Sequence, residues 1–150
     1  EKVKINHLIQ KTLDVVNLGK KQVNITNTIK NEYINIDETK MIIAIRNIID
    51  NAVKYGASLE PITIIVNQYK NNIKISIQSI GSPINESEKN NLFKPFYRSP
   101  NKINNESGFG LGLTICKKII EAHAGTIDLV TKNTKTCFNI VLPQNRASKG

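Results

Sequence analysis

Apolar residues recur along the chain with two distinct periods, and the order in which these periods follow one another predicts the fold. Leu8, Ile9, Leu13 and Val16 stand at helical spacing and predict an amphipathic helix over residues 5–17. Gly19 follows as the expected C-terminal stop. Gln22–Ile29 alternates loosely, with Val23, Ile25 and Ile29 apolar, and reads as a strand; Tyr33–Ile36 reads as a second, short one. Asp37 is placed to cap a long helix, with Glu38 in the first turn where a negative charge suits the helix dipole. That helix is expected to end at Tyr55, before Gly56.

Two stretches of period-two alternation come next: Ile62, Ile64 and Val66, then Ile73, Ile75 and Ile77, joined by a turn near Lys70-Asn71-Asn72. A polar, irregular stretch from Gly81 to Gly108 follows, with one helical turn expected at Glu86–Leu92. So long a stretch with little regular structure inside a compact domain is usually functional. A helix is expected from Gly110 to His123, then strands near Thr126–Thr131 and Thr136–Leu142 that close a hairpin. The expected class is α/β, a two-layer sandwich in which a mixed sheet is covered on one face by three helices. Residues 1–143 form one domain, and 144–150 read as a disordered tail.

The helix over 37–55 carries the first candidate chemistry. At about 100° per residue, Met41, Ile45, Ile48, Ile49 and Ala52 share one side, while Asn47, Asn51 and Lys54 centre on the other. With the apolar side on the sheet, these three polar residues point away from it together. Asn is mildly unfavourable inside helices, so two Asn one turn apart either belong to a solvated face or hold a ligand. Magnesium takes hard oxygen ligands and commonly binds through one or two protein groups plus substrate phosphates; an Asn carbonyl oxygen and a nearby Lys suit that. A second candidate is Ser107-Gly108-Phe109-Gly110-Leu111-Gly112-Leu113-Thr114, which leads into a helix. Alternate glycines let backbone approach an anion, and the helix N-terminus offers free N–H groups; a purely structural turn is the alternative.

Bulk composition narrows the field. The 150 residues carry a formal net charge of +9, which raises nucleic acid as a partner. The lysines are spread along the chain, however, without the basic and aromatic interleaving that stacks bases, so the charge reads as a solvated surface. No apolar run approaches the roughly 20 residues of a membrane helix. The start, Glu1-Lys2-Val3-Lys4, has neither an initiator Met nor a signal-peptide core and reads as cut from a longer protein. Cys116 and Cys137 lack metal-like or disulfide-framework spacing; both read as buried structural thiols suited to a reducing cytoplasm.

Asn47-Ile48-Ile49-Asp50-Asn51-Ala52-Val53-Lys54-Tyr55 resembles the N box of bacterial sensor histidine kinases, and residues 107–114 resemble their G2 box. Between them, Leu92-Phe93-Lys94-Pro95-Phe96-Tyr97-Arg98 is similar to the F box. The resemblance spans Val3 to Pro143 and implies the GHKL, or Bergerat, ATP-binding fold that DNA gyrase B and MutL share. It implies ATP and magnesium as cofactors, with Asn51 on the metal and Asn47, Lys54 and Arg98 at the phosphates. Tyr55, Ser79, Gly81, Ile84 and Phe96 would line the nucleotide together with Gly108, Phe109, Gly110, Leu111, Gly112, Leu113 and Thr114. Lys94 and Lys102 could add positive charge in the lid. The implied activity is a protein histidine kinase whose phosphoacceptor lies on a separate helical hairpin. A dimeric parent in the bacterial inner membrane and a response regulator are the implied partners; nucleic acid is not among them.

One box departs from the pattern. The family's G1 box reads Asp-x-Gly-x-Gly, whereas Ser79-Ile80-Gly81-Ser82-Pro83 replaces the Asp by Ser and the second Gly by Pro. A hydroxyl carries no charge, so weaker ATP binding and relaxed adenine selectivity are expected. Neither His suits the phosphoacceptor: His7 precedes Leu8 where an acidic residue is usual, and His123 reads as structural. The isolated domain is therefore not expected to phosphorylate itself. Two rivals stay open: a nucleotide-poor regulatory module that docks on a partner, and a basic nucleic-acid binder with salt-steep affinity.

Overall fold

Strand alternation decides which side of the sheet the core occupies, and the structure, a computed structural model, follows it closely. It describes residues 1–19, 21–29, 32–55, 60–81, 89, 91–93 and 112–144, with Tyr55 as backbone only. The elements are β1 (Lys2–Lys4), α1 (Ile5–Val15), β2 (Val23–Asn27), β3 (Tyr33–Asn35), α2 (Glu38–Tyr55), β4 (Ile62–Tyr69) and β5 (Asn72–Ile80). After them come α3 (Gly112–Ala122), β6 (Thr126–Lys132) and β7 (Lys135–Pro143). Five strands form one mixed sheet in the order β2-β4-β5-β7-β6, with β2 parallel to β4 and every other pair antiparallel. The three helices cover one face of it, which is the expected α/β sandwich.

On that face Ile62, Ile64 and Val66 of β4 meet Ile73, Ile75 and Ile77 of β5, and Phe138, Ile140 and Leu142 of β7. Leu8 and Ile9 of α1 and Cys116 and Ile120 of α3 close over them. All five residues assigned to the apolar side of α2 are buried. Each fully buried Ile contributes roughly 1.5–3 kcal/mol, so these rows hold the two layers together. The opposite face is mixed, with Ile65, Val130 and Val141 among polar residues, and has its own cross-strand bonds. Ser76 Oγ donates to Asn139 Oδ1 (2.7 Å), and Asn139 Nδ2 donates to Asp128 Oδ1 (3.1 Å), linking β5, β7 and β6.

Several local expectations shift. The first helix ends at Val15, and Gly19 (φ +60°) serves the turn beyond it, where its N–H donates to Asn17 Oδ1 (3.1 Å). Asn side chains commonly build such turns by bonding backbone two residues on. The strand at Tyr33 does not join the main sheet: it pairs with β1 in a separate two-stranded ribbon. Three residues of β1 are too few to show a period. Among the described residues the last helix starts at Gly112 and ends at Ala122. Of the expected turn at 86–92, Lys89 and Asn91 are helical and most of the rest lies outside the described residues. Gly56 also lies outside them. Gln144, placed in the tail by the sequence, is tied down by bonds to Asn71, Gln68 and Glu32; residues 145–150 are not among those described.

Candidate functional site

Two cross-links set how α2 and α3 lie together, and they place the candidate residues at one end of the sheet. Asn47 Nδ2 donates to the Gly112 carbonyl (3.1 Å), and the Asp37 N–H donates to His123 Nε2 (3.0 Å). The helices are therefore antiparallel, with the start of α3 beside the middle of α2. A Cβ on Gly125 would meet the Val141 carbonyl at 2.6 Å and Leu142 Cδ2 at 2.8 Å, so the far end of α3 sits over the end of β7. The start of α3 must then point the other way, towards Thr136 on β7 and its register partner Ser79 on β5.

Asn47 and Asn51 are half-buried and Lys54 is exposed, all on the side of α2 away from the sheet. The bond to Gly112 fixes the Asn47 amide with its nitrogen engaged, leaving the carbonyl oxygen for another donor or a cation. At the N-terminus of the helix, Asp37 Oδ1 accepts from the Lys40 N–H (3.1 Å), the cap the sequence predicts. Arg46 and Asp50 form a long ion pair (3.6 Å) on its outer surface. Among the described residues no cluster of three or more His, Cys, Asp or Glu could hold a metal. A neutral pair of Asn oxygens still fits magnesium, which needs few protein ligands when phosphates supply the others.

At the start of α3, Leu113 is buried in the core and Thr114 Oγ1 donates to the Phe93 carbonyl (2.7 Å). The Phe93 ring stands edge-on to Phe138 (centroids 6.3 Å apart, 83° between planes), and Lys117 Nζ lies 5.8 Å above it. The first Phe of the F-box-like segment is thus anchored to the sheet and to α3. Below, Ser79 and Thr136 lie side by side on the helix-facing side of β5 and β7, each 7% exposed. Gly81 N–H donates to the Thr134 carbonyl (2.9 Å), so strand pairing continues past Ser79.

The structure thus brings Asn47, Asn51, Lys54, Ser79, Gly81, Gly112, Leu113 and Thr114 to one end of the sandwich. Ile84, Phe96, Arg98, Gly108, Phe109, Gly110 and Leu111 lie outside the described residues, as do Lys94, Lys102 and the side chain of Tyr55. Sequence reasoning missed Thr136 and Lys117. Thr136 had one available signal: it sits in phase with Phe138, Ile140 and Leu142, a hydroxyl at the end of an apolar row. His123 is structural, because its Nδ1–H donates to the Ile119 carbonyl (2.8 Å) while Nε2 accepts from Asp37. His7 is exposed on α1, far along the chain from this end of α2. Burial pushes the Cys116 thiol up to about 12; Cys137 is half-buried, against expectation, and burial raises its pKa while Lys74 opposes the shift.

The chain thus forms a mixed sheet under three helices, with paired Asn on the middle helix and a Gly-started helix beside it. The family model described as histidine kinase-, DNA gyrase B-, and HSP90-like ATPase matches residues 36–146, and the chain belongs to that family. Proteins similar to it include a sensory kinase, a heme sensor protein and histidine kinases. The chain is 40% identical over 103 residues to the heme sensor protein HssS of Staphylococcus aureus, covering 68% of this chain and 22% of that one. It is 32% identical over 109 residues to the adaptive-response sensory kinase SasA of Prochlorococcus marinus, covering 71% of this chain and 29% of that one. The chain therefore spans less than a third of these relatives. Among solved structures, the mycobacterial sensor histidine kinase MprB superposes with a TM-score of 0.85 at 24% identity, covering 96% of this chain and 98% of that chain. The Acinetobacter baumannii histidine kinase AdeS gives 0.75 at 25% identity, covering 97% and 67%. No helix among the described residues is long and apolar enough to cross a membrane.

Proposed function

We propose that this domain binds Mg-ATP across the exposed side of α2 and donates the γ-phosphate to a His on a separate phosphoacceptor segment of its parent protein. The observation that carries this is the convergence of Asn47, Asn51 and Lys54 with the start of α3 above the Ser79 end of the sheet. Phosphoryl transfer asks a protein mainly for positioning and charge neutralisation. Asn51 would ligate magnesium, with Asn47 beside it, while Lys54 and Arg98 offset phosphate charge. Gly108, Gly110 and Gly112 would shape the hinge of a lid that Phe93 anchors. Bound magnesium supplies neutralisation of the charge on the phosphates.

His123 is committed to two hydrogen bonds and His7 is followed by Leu8 in place of the usual acidic residue, so neither His of this domain serves as acceptor in this reading. The acceptor belongs to a dimerisation segment of the parent, with a response regulator downstream and the parent at the bacterial inner membrane. Ser79 weakens binding: a neutral hydrogen bond in place of a charged one loses on the order of 1 kcal/mol, roughly five- to tenfold in affinity. The same residue supports the second reading, a nucleotide-poor module that works by docking. Titration of Mg-ATP into the domain separates the two. Binding in the micromolar to low millimolar range, without stable label from γ-labelled ATP on the isolated domain, is expected. A folded domain that binds no nucleotide would leave the docking module standing.

A further inference from the structure

The main sheet ends on one side at β6, and among the described residues no strand pairs with its outer edge. The bond pattern of the sheet decides which backbone groups that edge offers. The Gly81 N–H donates to the Thr134 carbonyl, so even-numbered residues of β7 turn their backbone groups to β5 and odd-numbered ones to β6. The odd-numbered residues stand in register with Thr126, Asp128, Val130 and Lys132. Ile127, Leu129 and Thr131 therefore direct their N–H and C=O groups to the open edge. On the sheet face away from the helices, Asp128, Val130 and Lys132 form a row of exposed side chains, Val130 by 50%. Asp128 accepts one bond from Asn139 through Oδ1, which leaves Oδ2 for another donor.

We infer that β6 is a self-association edge: two copies of this chain pair β6 with β6, antiparallel about Val130, and join their sheets into one of ten strands. The inference goes beyond the nucleotide-binding reading and does not depend on it. Charges on an edge strand ordinarily keep other strands away. Here the two signs stand four residues apart with an apolar side chain midway, which makes the edge complementary to itself. With Val130 opposite the partner's Val130, Asp128 meets the partner's Lys132 and Lys132 meets the partner's Asp128. These are non-hydrogen-bonded pairs, in which side chains come closest. Leu129 and Thr131 then face the partner's Thr131 and Leu129 as hydrogen-bonded pairs, closing four backbone bonds. Centring on Leu129 instead would set Asp128 against the partner's Val130, and centring on Thr131 would set Lys132 there, so only the Val130 register matches both charges. The symmetry is that of an isologous two-fold contact, which closes after two copies. A single strand pair buries less than the roughly 1,000 Å² of a stable interface, so free copies associate weakly, with Kd of about 0.1–1 mM. Two copies tethered together would meet at an effective concentration of that order.

The test is disulfide trapping in a Cys137→Ser background, because Cys137 is the register partner of Val130 within the chain and would capture an introduced thiol. Val130→Cys should form a covalent dimer in a glutathione redox buffer, since directly opposed residues have Cα atoms about 4.5 Å apart, within disulfide reach. Asp128→Cys would lie about 13 Å from its copy and should cross-link to itself at least about tenfold less. A mixture of Asp128→Cys and Lys132→Cys should cross-link one to the other. Sedimentation of the chain without introduced thiols, at up to about 1 mM, supplies the second readout. Asp128→Lys and Lys132→Asp should each weaken association by about fivefold or more, and the two together should restore it to within about threefold. Circular dichroism checks each fold; Lys132→Asp, which keeps the Asn139 bond, decides should Asp128→Lys disturb the strand. Asp128→Cys trapping itself as readily as Val130→Cys would overturn the register, and a double exchange no better than the single ones would overturn the charge pairing. A chain that stays monomeric at about 1 mM and gives no Val130→Cys dimer would overturn the inference and leave this edge to a strand of another protein segment.

Discussion

Replacing His123 by Phe should destabilise the domain by roughly 2–3 kcal/mol, although His123 touches neither proposed ligand. The imidazole links residues 86 positions apart in sequence: Nε2 accepts the Asp37 N–H at the start of α2, and Nδ1–H donates to the Ile119 carbonyl on α3. Phe keeps the volume and the burial, so the cavity term stays small. What it loses is both hydrogen bonds. A buried donor left without its acceptor costs about 1–3 kcal/mol, and the lower half of that range applies because the Asp37 bond is only partly buried. Loss of the second bond adds about 0.5–1.5 kcal/mol. For a domain of this size each kcal/mol moves Tm by about 2–4 °C, so a fall of roughly 4–12 °C is expected. His123→Asn should lie between, since its amide can still donate to Ile119 but falls short of Asp37. Urea unfolding followed by circular dichroism measures the series. A Phe variant within about 0.5 kcal/mol of wild type would refute the claim that this ring ties α3 to α2.

Two further predictions concern the same layer. Gly125→Ala drives a Cβ to 2.6 Å from the Val141 carbonyl, a backbone atom that cannot rotate away. It should cost about 1–3 kcal/mol in urea unfolding, and a neutral result would show that the α3–β7 junction is looser than described. Cys116, with its thiol held up to about 12, should resist iodoacetamide in the native domain at neutral pH while the half-buried Cys137 reacts first. The unfolded thiol ionises from its ordinary value of 9.0 while the folded one stays protonated, so this contribution to stability is complete below that pH and fades as pH rises towards 12. Unfolding midpoints of wild type and Cys116→Val at about pH 8 and about pH 11 should therefore converge or cross at the higher pH; a constant gap would contradict it.

What the sequence made legible follows from how local each signal is. The orientation of α2 could be worked out in full, because eighteen residues give enough turns for the apolar and polar sides to separate. The rows of β4, β5 and β7 were equally plain, since alternation within one segment decides which face is buried. Pairing between distant segments was not. Thr136 stands beside Ser79 only through register between strands separated by residues 81–134 of the chain. The Asp37–His123 bond is hidden for the same reason, and β1 is too short to display a period at all. Gly19 misled because a glycine after an apolar helix signals a stop without saying how many residues earlier the helix has ended; here Asn17 had already turned the chain.

The most direct test of the account is calorimetric titration of Mg-ATP into the wild-type domain and an Asn51→Ala variant, repeated with the metal chelated. Wild type should bind in the micromolar to low millimolar range. Chelation and the Asn51→Ala change should each weaken that binding by at least about tenfold, and together no further, because both remove the same ion. Equal affinity of the two proteins for Mg-ATP, with both folded, would contradict the placing of magnesium on α2 and with it the proposed site.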